Sequence, residues 1–304
     1  MHKNLIFIIS IALLTTSSCR FFDSNRNMSR EEFDIPDELL DEKPLEIASE
    51  VIDEMIQNVS SPVETAALIK GLNIPFNRDY IAPTQLDKNL NTSFQKAIGL
   101  GIYGAGLGYI NMYERTSLVI NYITTIKTLA DGIQVGQFFD FSTLNRIATN
   151  KENLDSLMLI SQQSFNRIDN YLRETNRPQL SIVIVAGIWI EGLYISTRVA
   201  QDARNPRINE IIGEQKVTMN TLMLLLNNYK YDASVAALIK DMEELQELYR
   251  DVRITYEYGD PVSVEKDGVL TFQQNDTQTI HMSDETLEKI IEKVQSIRNG
   301  LLQV

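Results

Sequence analysis

From Leu45 to Ile297 apolar residues return every three or four positions, and most of these segments carry their own start signal. That period belongs to one face of an α-helix, not to the alternation of a strand. Leu45, Ala48, Val51/Ile52, Met55/Ile56 and Val59 make the first stripe. Ser61-Pro62-Val63-Glu64 then reads as a capping box with Pro at the first helical position, and Gly71 closes that short helix. Thr92-Ser93-Phe94-Gln95 opens a helix over 92–113, and Val119, Tyr122/Ile123, Ile126, Leu129/Ala130 and Ile133 mark the next. Asn150 is the expected cap of a stripe running from Leu154 through Leu157/Met158, Ser161, Phe165 and Ile168 to Leu172. Pro178 precedes a nearly all-apolar helix reaching Arg198. Asn205-Pro206 supplies cap and first residue together, and Asp232 caps a helix carrying Val235, Leu238/Ile239, Met242, Leu245, Tyr249 and Val252. The expectation is an all-α fold of seven to nine helices, a bundle or stacked helix pairs, with its helical domain over 44–253.

The tail, 254–304, differs. Tyr256-Glu257-Tyr258, Val262-Ser263-Val264 and Val269-Leu270-Thr271-Phe272 alternate like strands, and Asp267-Gly268 is a hairpin turn signal. Ser283 caps a last helix with the stripe Leu287, Ile290/Ile291, Val294 and Ile297, ended by Gly300. A small β-hairpin appendage and a C-terminal helix packed on the same domain are expected.

Two helices share the pattern Gly-Ile-aromatic-x-x-Gly-Leu: Gly101-Ile102-Tyr103-Gly104-Ala105-Gly106-Leu107 and Gly187-Ile188-Trp189-Ile190-Glu191-Gly192-Leu193. Each is followed by another helix, so two related helix pairs about a pseudo-twofold is one explanation, and convergent packing is the other. Five glycines fall between Gly99 and Gly108. Each costs a helix about 1 kcal/mol against Ala, and packing must return it. Ala97, Gly101, Ala105 and Gly108 form a groove, either for close approach of a neighbouring helix or for a bound group.

Glu191 stands between Trp189 and Tyr194 in the most apolar helix of the chain. A buried carboxylate needs a charged partner and hydrogen bonds. Arg198, two turns on, and Arg115, after the sister helix, are the candidates for a structural pair. The alternatives are a ligand-facing carboxylate in a cleft lined by Tyr103, Tyr109, Trp189 and Tyr194, and a carboxylate exposed at the surface.

The beginning of the chain has a different logic. Lys3 and the apolar run Leu5–Leu14 read as a secretory signal, too short for a lasting membrane span. Small residues Thr15-Thr16-Ser17-Ser18 lead to Cys19, the only cysteine of 304 residues. A thiol at that place is the acylation site of a bacterial lipoprotein, although Thr16 stands where Leu is more usual. Residues 1–18 are thus expected to be a signal peptide, Cys19 a lipid anchor, and 19–43 a polar, acidic tether. The protein is then held to a membrane of the cell envelope. Arg20-Phe21-Phe22 follows Cys19 in place of the acidic run of some surface-displayed lipoproteins, so the expected orientation is toward the periplasm.

The net charge is −13, one unit more negative once Lys3 leaves with the signal. That argues against a phosphate-binding surface, and so against nucleic acid, because such surfaces need clustered Lys and Arg. No glycine-rich phosphate loop is present, and His281 is the one histidine outside the signal. No cofactor, metal site or catalytic residue is therefore assigned. A non-enzymatic interaction or scaffold domain is favoured, with an envelope protein as its possible partner. A small-ligand binder around Glu191 is the alternative, and a carboxylate-dependent enzyme is the least favoured.

The stretch Ile102-Tyr103-Gly104-Ala105-Gly106-Leu107-Gly108-Tyr109, then Asn153-Leu154-Asp155-Ser156-Leu157, Ala186-Gly187-Ile188-Trp189-Ile190-Glu191-Gly192-Leu193-Tyr194 and the tail Tyr256-Glu257-Tyr258 together carry a likeness. They resemble an uncharacterised family of all-helical lipoproteins common in Bacteroides-like bacteria. The resemblance implies an envelope location and a helical fold, and no activity or functional residue. Gly106 departs from the Asp found after Ala in relatives at that point.

Overall fold

The computed structural model describes residues 62–142, 154–259, 261–266, 269–273 and 277–303. The chain divides into two units, Met1–Lys43 and Pro44–Val304, and every described residue belongs to the second. The segments expected to be signal and tether, Cys19, the stripe from Leu45 to Val59, the expected caps Ser61 and Asn150, and the expected turn Asp267-Gly268 lie outside the described residues.

The fold is all-α. Among the described residues eight α-helices run in order: α1 (Pro62–Gly71), α2 (Ser93–Met112), α3 (Thr116–Gly132), α4 (Leu154–Glu174), α5 (Pro178–Ala203), α6 (Pro206–Asn227), α7 (Ala233–Arg250) and α8 (Asp284–Leu302). Short 3-10 turns at Arg78–Tyr80, Thr84–Asn89 and Gly136–Phe138 punctuate the connections.

The starts follow the capping chemistry. The Thr92 hydroxyl accepts the Gln95 N–H and the Gln95 side chain returns a bond to the Thr92 N–H, which satisfies two orphan donors of α2. Asn205 caps α6 with Pro206 behind it, Asp232 accepts from Ser234 and Val235, and Ser283 accepts from Thr286. Two ends differ from expectation. α5 continues past Arg198 to Ala203, because Val199 and Ala200 are still buried. α8 passes through Gly300, which has open space around it, and ends where Gln303 turns left-handed at φ 57°.

α5 is the central helix, packed by α1, α2, α4, α6 and α8. Among the described residues it alone is long and apolar enough to cross a membrane, yet 89% of its apolar window is buried in the protein. Its closest neighbour is α2, and the two paired Gly-Ile-aromatic sequences meet there. A Cβ on Gly101 would overlap the Ile184 carbonyl oxygen and lie 2.7 Å from Ile188 N. A Cβ on Gly187 would overlap the Ile98 carbonyl oxygen and lie 3.2 Å from Gly101 Cα. Each glycine therefore faces the carbonyl three residues before the other, so the contact is reciprocal. Gly104, one turn along the same helix, has nothing within 4 Å of its would-be Cβ. The glycine run is thus not one groove. Gly101 makes the close approach, Gly99 and Gly106 make room for side chains of Leu90 and Tyr122, and Gly104 makes no contact of this kind.

The β appendage is a pair of two-stranded antiparallel ladders before α8. β1 (Arg253–Glu257) pairs with β4 (Thr277–His281), and β2 (Val262–Lys266) pairs with β3 (Val269–Gln273). The β2–β3 register runs from Val262↔Gln273 to Lys266↔Val269. Ile280 of β4 sits over Gly213 of α6, where a Cβ would overlap it. Tyr256 and Tyr258 remain exposed.

Candidate functional site

The segment Asn77–Pro83, between α1 and α2, lies against the core without belonging to a long helix or a sheet. Tyr80, Ile81 and Ala82 are buried. Backbone polar groups of such a segment need partners, and its 3-10 turn supplies only two bonds, from Tyr80 N–H to the Asn77 carbonyl and from Ile81 N–H to the Arg78 carbonyl. Side chains of the surrounding helices supply others. Tyr109 on α2 accepts the Asn77 N–H at 3.2 Å, and Tyr103 on the same helix donates to the Pro83 carbonyl at 2.9 Å. Tyr122 on α3 donates to the Ala82 carbonyl. The Ala82 N–H donates to Glu191 Oε1 on α5 at 3.2 Å. The Tyr80 hydroxyl reaches back to Asp202 at 2.6 Å.

Glu191 is fully buried and has a second partner. Arg298, 107 residues away on α8, donates through Nε to Oε2 at 3.0 Å and through Nη2 to Oε1 at 3.3 Å. Its guanidinium lies over the Tyr194 ring, 4.5 Å from the centroid. The carboxylate thus accepts three hydrogen bonds, two of them from a planar fork, the arrangement that makes a buried charge tolerable. Burial pushes the Glu191 carboxyl up, and Arg298 and the Ala82 N–H pull it back. Burial also pushes the Tyr103, Tyr109 and Tyr122 phenols up, keeping them neutral donors or acceptors for this segment.

The expected partners of Glu191 are therefore corrected. Arg198 is seven residues on, about 10 Å along the helix axis, too far for a direct pair. Its Nη1 donates to Gln201 at 3.1 Å and its Nε is buried without a hydrogen bond. Arg115 lies over the Phe76 ring instead, 5.3 Å from the centroid. The expected cleft residues also divide. Tyr194, three residues from Glu191, shares its helix face and its arginine. Trp189, two residues away, points elsewhere and donates to Gln215 on α6 at 2.8 Å. Tyr103 joins the group around Ala82 and Pro83, stacking edge-on with Tyr122 at 5.7 Å. Tyr109 belongs to a separate aromatic cluster with Phe76, Tyr80 and Tyr113.

Arg298 and Tyr122 were not among the expected site residues. Arg298 had a readable signal: it continues the apolar stripe Ile291, Val294 of the last helix at helical spacing, where a cation needs a buried partner. The role of Tyr122 had none, because a tyrosine on a buried stripe reads as core.

The place expected for a ligand beside Glu191 is thus filled by the chain's own backbone. A recess of about 390 Å³ remains on the other side of Arg298. Its walls include Arg78, Thr84, Leu118, Tyr122, Tyr194 and Arg298, but not Glu191. Among the described residues no group of three His, Cys, Asp or Glu side chains is placed to hold a metal ion. Compared with protein-family models, with curated proteins and with solved structures, the chain matches none.

Proposed function

We propose that this chain is a lipoprotein of the cell envelope, anchored through acylated Cys19 and facing the periplasm, whose helical domain is a non-enzymatic interaction module. It is, on this reading, one of the helical lipoproteins it resembles. One observation carries the non-enzymatic part. The most conspicuous polar groups of the core, Glu191 with Arg298 and the tyrosines 103, 109 and 122, hold the chain's own segment in place. Their cost is recovered in architecture, which leaves the outer surface as the working part.

Replacing Cys19 by Ala tests the anchor. The protein is expected to move from the membrane fraction to the soluble extract, and retention on membranes after a high-salt wash would overturn the claim. Affinity purification of the anchored, tagged protein tests the module, with the Cys19→Ala protein as control. A stoichiometric envelope partner seen with the anchored form is the expected result.

A second reading, a small-ligand binder, is favoured by the recess beside Arg298. Its volume lies within the range of small-molecule sites, toward the low end. On this reading the ligand would sit beside Arg298 instead of around Glu191.

A further inference from the structure

We infer that the recess is a site for a small molecule carrying a carboxylate or comparable oxyanion, seated on the outward edge of Arg298. This rests on the small-ligand reading and assigns it a chemistry. Arg298 spends Nε and Nη2 on Glu191, and among the described residues Nη1 has no hydrogen-bond partner within the protein. Nη1 is also absent from the enclosed, unpaired polar atoms, and the residue lines the recess. A guanidinium with one edge fixed by a buried carboxylate and its face against Tyr194 cannot swing away, so its remaining donors are held in place before any ligand arrives.

The electrostatics point the same way. Glu191 lies behind Arg298 and outside the recess walls, so the pair presents its positive end to the recess. Exposed Arg78 also lines the recess. Asp79 lies beside it and opposes it, which favours one compact anionic group at Arg298 over a polyanion. Of the other walls, Leu86, Leu118 and the Tyr122 and Tyr194 rings suit an apolar or aromatic body attached to that group, and Thr84, Asn121 and Asn299 add polar contacts beside it.

Phenylbutyrate and its neutral amide are suitable probes for the full mature chain, with binding followed by ligand-observed NMR and calorimetry. Saturable binding of the acid is expected, weakened by about tenfold or more in the amide, the share of a charge-assisted contact. Arg298→Lys keeps the cation but loses the fork and is expected to abolish the preference for the acid. Because that variant also disturbs Glu191, Leu118→Trp provides the independent arm. It fills the recess away from the ion pair and is expected to abolish binding without lowering the melting temperature. Equal binding of acid and amide, both blocked by Leu118→Trp, would overturn the oxyanion assignment and leave the recess as a ligand site. Absence of saturable binding for both probes would overturn the small-ligand reading itself, as would binding that survives Leu118→Trp.

Discussion

At the α2–α5 crossing two backbones meet by giving up side chains, whereas around Asn77–Pro83 a backbone meets the core by gaining polar ones. The difference lies in where backbone hydrogen bonds go. In α2 and α5 each peptide group is paired within its own helix, so Gly101 and Gly187 only have to clear space for contact with Ile184 and Ile98. The segment Asn77–Pro83 makes only two such bonds of its own, from the Tyr80 and Ile81 N–H groups in its 3-10 turn. For its other buried backbone groups α2, α3 and α5 supply partners as Tyr103, Tyr109, Tyr122 and Glu191. A polar residue in an apolar helix can therefore mark an irregular neighbour as readily as a ligand.

The largest expected effect tests the polar half. Glu191→Gln keeps the shape but strands Arg298, which is 4% exposed, and is expected to cost roughly 3–5 kcal/mol in thermal or denaturant unfolding. Replacing both partners, as Glu191→Leu with Arg298→Met, should recover much of this. Recovery should be incomplete, because the Ala82 N–H is still left without its acceptor, at about 1–3 kcal/mol. A Glu191→Gln protein that melts like the wild type would show that the pair does not hold the segment.

The glycine half separates within one helix. Gly101→Ala forces a methyl group into the backbone of α5 and is expected to destabilise by about 3 kcal/mol. Gly104→Ala meets nothing and is expected to stabilise by up to about 1 kcal/mol, the difference in helix propensity. Paired melting curves of the two variants measure the contrast directly. Equal effects would mean that the crossing is not centred on Gly101.

The smallest effect is on pH dependence. Burial, and for Tyr80 the acceptor Asp202 as well, pushes the Tyr80 and Tyr113 phenols up to about 12. A group whose folded pKa is raised contributes stability that is full below its unfolded value, near 10, and is lost as the pH climbs through the folded value. Stability should therefore decline between pH 10 and about 12. The tyrosinate absorbance of Tyr80 and Tyr113 should appear well above the range of a free phenol, near pH 10. Simultaneous titration of all tyrosines near pH 10 in the folded protein would contradict the buried clasp.

Much of this was written locally. Helix starts at Thr92, Asn205, Asp232 and Ser283 need only a side chain and the N–H two or three residues on, so the amino-acid order determines them. The all-α class and the hairpin before the last helix follow from periods and compositions that any window of the chain displays. The partner of Glu191 did not follow. Arg198 is near in sequence but displaced along the helix axis, while Arg298 is brought from the far end of the chain by the packing of α8 on α5. Gly101 and Gly104 look alike in the sequence, and only the crossing with α5 makes one indispensable and the other spare. The sequence determines which backbones can be helical, because that chemistry is local. Tertiary structure alone decides which groups meet, because contact between residues about a hundred positions apart depends on how whole helices pack.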